Sequence, residues 1–516
     1  MKIVTAKEMQ TLDQKAIEAY GVPGIRLMEN AGQRVMEEIK LWYGNVRGKT
    51  ATIVAGKGNN GGDGLVVARH LKKAGAAVSV YLLANEDEIR SDARAILTAY
   101  KKMRGKIYSK SSFDRKGLLA HLAESDFVVD AIFGTGLSSP LKGLPAEAVS
   151  TINASSKPVV SIDLPSGINA DTGEVMGIAV MAKLTVTLAL PKLGLFLYPG
   201  ADHVGQLKIV DIGIPETLVD RLQVRIELLT ENQMTSLLPK RPQNSHKGTY
   251  GHTGIIAGSV GKTGAAVMAS LSALRTGAGM VTLALPAGLE SSLPSRPWEI
   301  MTLPLPETGE RTLSLSAEKE IMQFLEGKAS VAIGPGLSTQ TETQELVRNL
   351  IEQIEIPTVL DADGLNAFSG KDELLLRARA PLILTPHPGE MARLSGVNAE
   401  KVQKDRLGMA GHFSREHRVH LVLKGAKTVV ADPSGNLSIN PTGNPGMSTA
   451  GTGDVLTGMI VGLLSQGLSA SDAARLGVYL HGLAGDLAAA QHGLAGLIAG
   501  DLIEQIPTAI RRLKGQ

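Results

Sequence analysis

Apolar positions at Met9, Leu12, Ala16 and Ala19 recur at helical spacing behind a Thr5–Glu8 capping-box pattern, and Gly21 ends the run. A second helix is predicted from about Ile25 to Trp42, with Leu27, Ala31, Val35 and Ile39 facing inward. The period then changes. Short apolar runs at Ala51–Ala55, Val78–Leu83, Phe127–Ile132, Val159–Ile162 and Leu184–Leu188 read as strands. Helical patterns at Leu65–Ala74, Ser91–Met103 and Ala146–Asn153 separate them. Strands without polar alternation are buried on both faces, so this order predicts a parallel, doubly wound sheet.

The alternation weakens after Gly213-Ile214-Pro215, and residues 216–244, with Pro239 and Pro242, read as a connector with some helix. A second run follows. Its predicted strands are Gly254–Ala257, Met280–Leu285, Val331–Ile333, Thr358–Leu360, Leu382–Leu384 and Leu421–Leu423. Its predicted helices are Ala265–Arg275, Glu390–Leu394, Val455–Leu464 and Asp472–Ala490. Two α/β domains are therefore expected, over residues 1–225 and 226–516.

Composition narrows the function. Hydrophobic residues make up 43% and charged residues 20%, a globular balance. A net charge of +3 without any Lys/Arg block argues against nucleic acid. With no cysteine there is no disulfide, thiolate metal site or thiol nucleophile. The first residues carry Lys7, Glu8 and Asp13, unlike a signal peptide, and no uncharged apolar run reaches the ~18 residues of a membrane span. A cytoplasmic protein that binds no membrane is expected.

Chemistry concentrates at strand ends. Gly56-Lys57-Gly58-Asn59-Asn60-Gly61-Gly62-Asp63-Gly64 lies between a predicted strand and helix, where glycines bring backbone N–H groups to an anion. It is neither a clean GxGxxG nor a Walker loop. Asp130 to Gly136 and Asp163 to Gly167 follow two further strands, so in a parallel sheet all three loops reach one edge. Asn60, Asp130, Asp163 and Ser166 are expected to converge there, although each has a plainer role as a cap.

Together with Leu27-Met28-Glu29-Asn30-Ala31-Gly32 and Pro191-Lys192, these segments resemble the NAD(P)H-hydrate epimerase domain over about residues 1–215. The resemblance implies a Rossmann-like three-layer domain that interconverts the R and S hydrates of NADH and NADPH. It also implies a K⁺ held by Asn60, Asp130 and Ser166, oxygen donors suited to a hard cation. The hydrate site would be lined by Asn59, Asn60, Gly61, Gly62, Asp63, Gly134, Thr135, Gly136, Leu137, Ser138, Ser139, Pro140 and Asp163. Asp163 is the expected acid–base group. Lys192 either assists it or is a solvated lysine. The family has a non-catalytic scaffold branch, whose members are expected to lack the acid that this chain keeps.

In the second half, Lys424-Gly425-Ala426-Lys427-Thr428 precedes Ala450-Gly451-Thr452-Gly453-Asp454, which opens a helix. Backbone N–H groups there would face a developing negative charge, and Asp454 can take a proton from a hydroxyl, as phosphoryl transfer requires. A capped helix is the plainer alternative. Gly334-Pro335-Gly336, Asp361-Ala362-Asp363-Gly364 and Thr385-Pro386-His387-Pro388-Gly389-Glu390 end other strands, and the prolines stiffen the backbone around His387.

With Ser245-His246-Lys247-Gly248-Thr249-Tyr250-Gly251, these segments resemble the ADP-dependent NAD(P)H-hydrate dehydratase domain, a relative of ribokinase-like kinases, over about residues 235–510. The resemblance implies a ribokinase-like α/β domain that phosphorylates the S hydrate from ADP, with Mg²⁺ between the phosphates. Phosphate then leaves, and NADH or NADPH is restored with AMP as the other product. Lys424, Gly425, Ala426, Lys427, Thr428 and Gly453 would hold the AMP part. Ala265 or Ala266, Gly336, His387 and Asp454 would contact the hydrate, with Asp454 as base. Asp361 and Glu390 are metal-ligand candidates, with ordinary surface acids as the alternative. A homo-oligomer acting on NAD(P)H hydrates and ADP or ATP is expected. The competing expectations are a vitamin or sugar kinase in the second half and a non-catalytic binding domain in the first.

Overall fold

The computed structural model describes residues 1–293 and 298–515. The chain divides into two compact units, Met1–Val224 and Arg225–Gln516.

The first unit holds β1 (Thr50–Ala55), β2 (Ala77–Leu82), β3 (Lys106–Tyr108), β4 (Phe127–Ala131), β5 (Val159–Ile162), β6 (Leu184–Leu188) and β7 (Gln206–Val210). They form one parallel sheet in the order β3-β2-β1-β4-β5-β6-β7. Ile53 joins an apolar cluster with Leu65 and Val67, while its neighbour Val54 joins another with Leu118 and Ile152. Two cores on opposite faces make the unit a three-layer, Rossmann-type fold. Strand order reverses between β1 and β4, which opens a crevice beyond their C-terminal ends.

The sequence pattern missed β3 and β7. They are the two edges of the sheet, and β7 (Gln206-Leu207-Lys208-Ile209-Val210) keeps the polar alternation of an edge strand instead of a continuous apolar run. The pattern also began the next helix too late. The helix runs Asn59–Lys73, so Asn59 to Gly64 are its first turns and not a loop. Glycine's poor helix propensity hides that start. Tertiary packing requires it: a Cβ on Gly61 would lie 1.9 Å from the Gly56 carbonyl oxygen, and one on Gly64 would lie 2.5 Å from the Ala131 Cβ. The same helix meets helix Gly24–Tyr43 so closely that a Cβ on Gly32 would stand 2.4 Å from Val66.

The second unit holds β8 (Ile226–Leu228), β9 (His252–Ile256), β10 (Met280–Pro286), β11 (Ile300–Leu305), β12 (Ser330–Ile333), β13 (Thr358–Leu360), β14 (Leu382–Leu384), β15 (His420–Leu423), β16 (Val429–Ala431) and β17 (Leu437–Ile439). Their order is β11-β10-β9-β12-β13-β14-β15-β16-β17-β8. β16 runs antiparallel to β15 and β17, and β8 returns parallel to β17. The switch point lies between β9 and β12. Part of the expected connector is thus ordered as β8 and helix Glu231–Leu237. Helices Thr341–Gln353, Arg406–His417 and Ala499–Leu513 were also missed. Among the described residues, no helix is long and apolar enough to cross a membrane.

Helix Thr452–Ser465 lies directly on helix Thr263–Thr276, where a Cβ on Gly458 would come within 2.1 Å of the Ala269 carbonyl oxygen. Backbone cannot yield cheaply, so Gly458→Ala is expected to cost about 1–3 kcal/mol or more. At the exposed helical Gly500, where only the Ile498 Cδ1 lies near, at 3.9 Å, the same change should be neutral or gain up to about 0.5–1 kcal/mol. Scanning calorimetry of the two variants checks the contrast.

Candidate functional site

A cavity of about 590 Å³ opens at the first switch point, lined by Asn59, Asn60 and Asp63 from the glycine-rich helix, by Gly134, Thr135 and Gly136 after β4, and by Asp163 after β5. Gly61 and Gly62 are buried by helix packing and do not line it, and Leu137 belongs to the apolar cluster beneath. Ser138, Ser139 and Pro140 lie exposed and outside the lining.

Asp130 is fully buried in β4, opposite Val54 of β1. Its carboxylate accepts from Ser161 Oγ at 2.8 Å, Ser166 Oγ at 2.5 Å and Ser166 N at 2.8 Å. Burial nevertheless raises its pKa above the ordinary carboxylate value, against those hydrogen bonds. The Asn60 amide oxygen and nitrogen are buried without a hydrogen-bond partner. A buried amide left unpaired is costly.

Asp163 has φ of +69°, and the Leu164 N–H donates to the Ile162 carbonyl at 2.9 Å. This tight γ-turn is strained for an L-residue with a side chain, and such strain gathers at functional sites. Oδ1 is fully engaged. It accepts from Lys192 Nζ at 2.5 Å, Thr187 Oγ1 at 3.2 Å and Leu188 N at 3.3 Å. Oδ2 stands 3.1 Å from where a Gly134 Cβ would be, so only glycine leaves that oxygen open. Lys192 is 1% exposed and also donates to the Leu188 carbonyl at 2.7 Å, which rules out the solvated alternative.

The chain's first residues pin Lys192. Val4 N donates to the Pro191 carbonyl at 3.0 Å and Leu193 N to the Val4 carbonyl at 3.1 Å. The first helix, Ala6–Glu18, follows directly, and its Met9, Gln10 and Asp13 line the cavity. Burial raises Asp13 to about 6, with Lys192 pulling down and Asp163 pushing up. Burial, then Asp163 and Asp13, drives Asp63 well above the ordinary range.

In the second unit, helix Thr452–Ser465 begins after Gly451 in a left-handed conformation (φ +89°), which puts Thr452, Gly453 and Asp454 in its first turn. Lys424, just past β15, is the hub. Its Nζ donates to Asp361 Oδ1 at 2.8 Å, lies 3.7 Å from Glu390 Oε2, and would be 3.2 Å from a Cβ on Gly453. Thr457 Oγ1 occupies the other Asp361 oxygen at 2.7 Å, tying the helix to the end of β13. Burial opposes the charge on Lys424, but Asp361, Glu390 and Asp454 outweigh it and hold its pKa up. Asp454 is raised to about 7, by burial first and the Asp361 charge next, with Lys424 pulling the other way.

His387 caps helix Pro388–Ser395, its Nδ1 accepting from Gly389 N at 3.0 Å, while Glu390 reaches back to His387 N at 2.7 Å. Its half-exposed ring is thus both cap and available surface. Ala265 is partly accessible, whereas Ala266 is fully buried. Gly336 takes φ of +65°, with a would-be Cβ 3.4 Å from that of Ala265. In the segment after β15, Gly425 and Ala426 are exposed, Lys427 Nζ donates to the Pro441 carbonyl at 3.3 Å, and Thr428 Oγ1 to the Gly425 carbonyl at 2.9 Å. Asp361 and Glu390 are buried network members, not the surface acids of the plainer reading.

Residues 253–508 match the family described as NAD(P)H-hydrate dehydratase, and residues 24–194 match the YjeF-related protein N-terminus. The bifunctional NAD(P)H-hydrate repair enzyme Nnr of Moorella thermoacetica is 49% identical over 518 residues, covering 100% of this chain and 97% of that protein. The chain belongs to the bifunctional NAD(P)H-hydrate repair enzymes. The protein of that name from Thermofilum pendens is 41% identical over 514 residues, with the same coverage of each chain. A crystal structure of ADP/ATP-dependent NAD(P)H-hydrate dehydratase from Bacillus subtilis, co-crystallized with ATP/Mg²⁺, matches at 32% identity. Its TM-score is 0.50, over 56% of this chain and 100% of that one. These matches favour the repair reading over a small-molecule kinase.

In this bifunctional NAD(P)H-hydrate repair enzyme, an epimerase half precedes a dehydratase half. Three features of the two sites escaped sequence reasoning. Asp13 lies on the Met9–Asp13–Ala16 stripe of a buried helix face, an acid among apolar positions that in sequence looks like a surface charge. Thr457 and Asp361 pair across 96 residues, which no local spacing reveals. His481 Nε2 bonds the Thr452 carbonyl at 2.9 Å, and burial lowers the ring to about 4, so it stays neutral beneath the helix start.

Removing the cation from the Lys192–Asp163 pair leaves a buried carboxylate without its counter-charge. Lys192→Met is expected to cost about 3–5 kcal/mol, with part recovered in the Lys192→Met/Asp163→Asn double variant. Calorimetric melting of the single and double variants checks this.

Proposed function

We propose that Asp163 and Asp454 are the acid–base groups of the epimerase and dehydratase halves. One observation supports both assignments: each is a largely buried carboxylate beside a strand-end glycine segment, facing a lysine held by neighbouring acids or carbonyls.

In the first half, residues 1–225, the hydrate would lie in the cavity between Asn59, Asn60 and Asp63 on one side and Gly134, Thr135 and Gly136 on the other, with Asp163 Oδ2 open to it. Epimerisation needs the carbon that bears the hydroxyl to be opened and reclosed on its other face. Asn60, Asp130 and Ser166 fit a K⁺: all three offer oxygen, and the Asn60 amide has no other partner. Bound there, the ion would supply fixed positive charge. Lys192 holds Asp163 Oδ1 in place, and the first helix helps to shield the cavity from water.

In the second half, residues 226–516, Lys424–Thr428 and Gly453 would hold the AMP portion of ADP, and Ala265, Gly336, His387 and Asp454 would contact the S hydrate. Asp454 takes the hydroxyl proton as the oxygen attacks the terminal phosphorus, and the Lys424 ammonium faces the charge that develops. Phosphate then departs with the C–O bonding pair, and loss of a proton from the adjacent carbon restores the double bond. No group of three or more His, Asp or Glu able to hold a metal occurs among the described residues. Mg²⁺ suits such a site when it is carried on nucleotide phosphates and keeps its waters. Asp361 and Glu390 already bond Lys424, Thr457 and His387 N, so their part is to position Lys424. A homo-oligomer in the cytoplasm completes the proposal.

Absorbance at 340 nm, after an R/S mixture of NADH hydrate is combined with the protein, ADP, Mg²⁺ and K⁺, tests both halves. Full recovery of NADH is expected. Asp163→Asn, or omission of K⁺, should stall recovery at the S fraction, beyond the spontaneous epimerisation of a control without enzyme. Asp454→Asn should abolish recovery. A stable phosphate ester in place of NADH and free phosphate would overturn the dehydratase assignment.

Dehydration should also depend on pH. The base works deprotonated, and Asp454 is raised to about 7, so the rate on the S hydrate should fall as pH drops through about 7. A rate that stayed flat down to pH 5 would remove Asp454 from that role.

A further inference from the structure

We propose that Asp13 is a second acid–base group of the epimerase cavity, working opposite Asp163. The assignment rests on the reading of that cavity as the epimerase site.

Asp13 lines the same cavity as Asp163 and Lys192. It is not carried on a loose arm. The first helix starts in a capping box, with Thr5 N donating to Glu8 Oε2 at 2.7 Å, and Ala6 N donates to Asp171 Oδ1 at 2.6 Å. Met9, Leu12 and Ala16 anchor the helix in the core, and the bridge between Val4 and Lys192 fixes its entry.

The Asp13 carboxyl makes no hydrogen bond or ion pair among the described residues. A largely buried acid that faces a cavity without a partner is expensive to keep unless its proton is used. Asp163 has spent one oxygen on Lys192, Thr187 and Leu188. The other charged residues lining the cavity are Lys57, Asp63, Asp92, Asp163 and Lys192, so carboxyl groups outnumber cations.

The reaction needs an acid as well as a base. Hydroxide is a poor leaving group. Asp13 gives its proton to the hydroxyl oxygen, the C–O bond breaks with its electron pair going to oxygen, and water departs. The ring nitrogen's lone pair forms the N=C bond and leaves a cation, which the newly charged Asp13 and its fellow carboxylates stabilise. Water adds to the other face, and Asp163 takes the surplus proton. One proton enters and one leaves, no oxidant is required, and the enzyme form left behind is the one that runs the reverse direction. Titration fits this alternation: burial holds Asp13 at about 6, near enough to neutrality for it to give and regain a proton.

The experiment uses the full chain. With the R hydrate, ADP, Mg²⁺ and K⁺, the dehydratase half consumes S hydrate as it forms, so the 340 nm rise reports epimerisation. With S hydrate alone, the same chain reports dehydration and shows that it is folded. Asp13→Asn is expected to lower the R-hydrate rate by about 10²–10⁴-fold, mainly in kcat. The S-hydrate rate should be unchanged, and melting at pH 7.5 no lower, because Asn mimics the neutral form that burial favours. The limb near pH 6 in the wild-type R-hydrate profile should vanish, and Asp13→Glu should restore part of the rate. An Asp13→Asn chain that kept the wild-type rate, or lost only KM while retaining that limb, would overturn the assignment. A wild-type chain no faster than the control without enzyme on R hydrate, yet active on S hydrate, would overturn the epimerase reading and this assignment with it.

Discussion

A carboxylate taken out of water costs several kcal/mol unless a cation or hydrogen-bond donors go with it. Both halves of this chain meet that demand with a lysine brought from a distant part of the fold. Lys192, after β6, neutralises Asp163, which follows β5. Lys424, after β15, neutralises Asp361, which follows β13. Around each pair burial raises further acids, with neighbouring carboxylates adding to it: Asp13 and Asp63 in the first unit, Asp454 in the second. The result is one committed ion pair beside a carboxyl group that titrates near neutrality. In the first unit Asp163 also divides the tasks between its own oxygens: Oδ1 holds Lys192, and Oδ2 stands beside Gly134.

The sheets make this possible. Parallel strands end together, so acids placed after different strands meet at one edge, and the switch in strand order keeps that edge open. Glycines then set the distances. Gly56, Gly61 and Gly64 let a helix start settle against the β1–β4 junction, and Gly458 and Gly462 bring helix Thr452–Ser465 against the backbone of helix Thr263–Thr276. Much of the glycine in the sequence therefore serves close approach of chain to chain.

That point marks what was legible in the sequence. Central strands such as β1 and β4 announced themselves by continuous apolar runs, and Asp130, Asp163, Asp361 and Asp454 by their place within a few residues of glycine at strand ends or a helix start. Edge strands did not, because half of their side chains face water. The start of helix Asn59–Lys73 was hidden by glycines whose cost is met by packing that no local window contains. Asp13 and Thr457 were missed for a related reason: each bears on the site through neighbours far along the chain, and its own surroundings in sequence look like ordinary helix.

The last strand of the second sheet comes from its first residues. Ile226–Leu228 pairs with β17, Glu227 bonds Ser438 and Arg475, and Leu229 and Met234 enter the same core as the helix that carries Asp454. The region matched to the dehydratase family begins only at residue 253. The compact unit is therefore larger than the region that the family match defines. A dehydratase half cut at that match would expose the hydrogen-bonding groups of β17 and leave a gap in its core, an open edge onto which other chains can add. The compact second unit begins at Arg225.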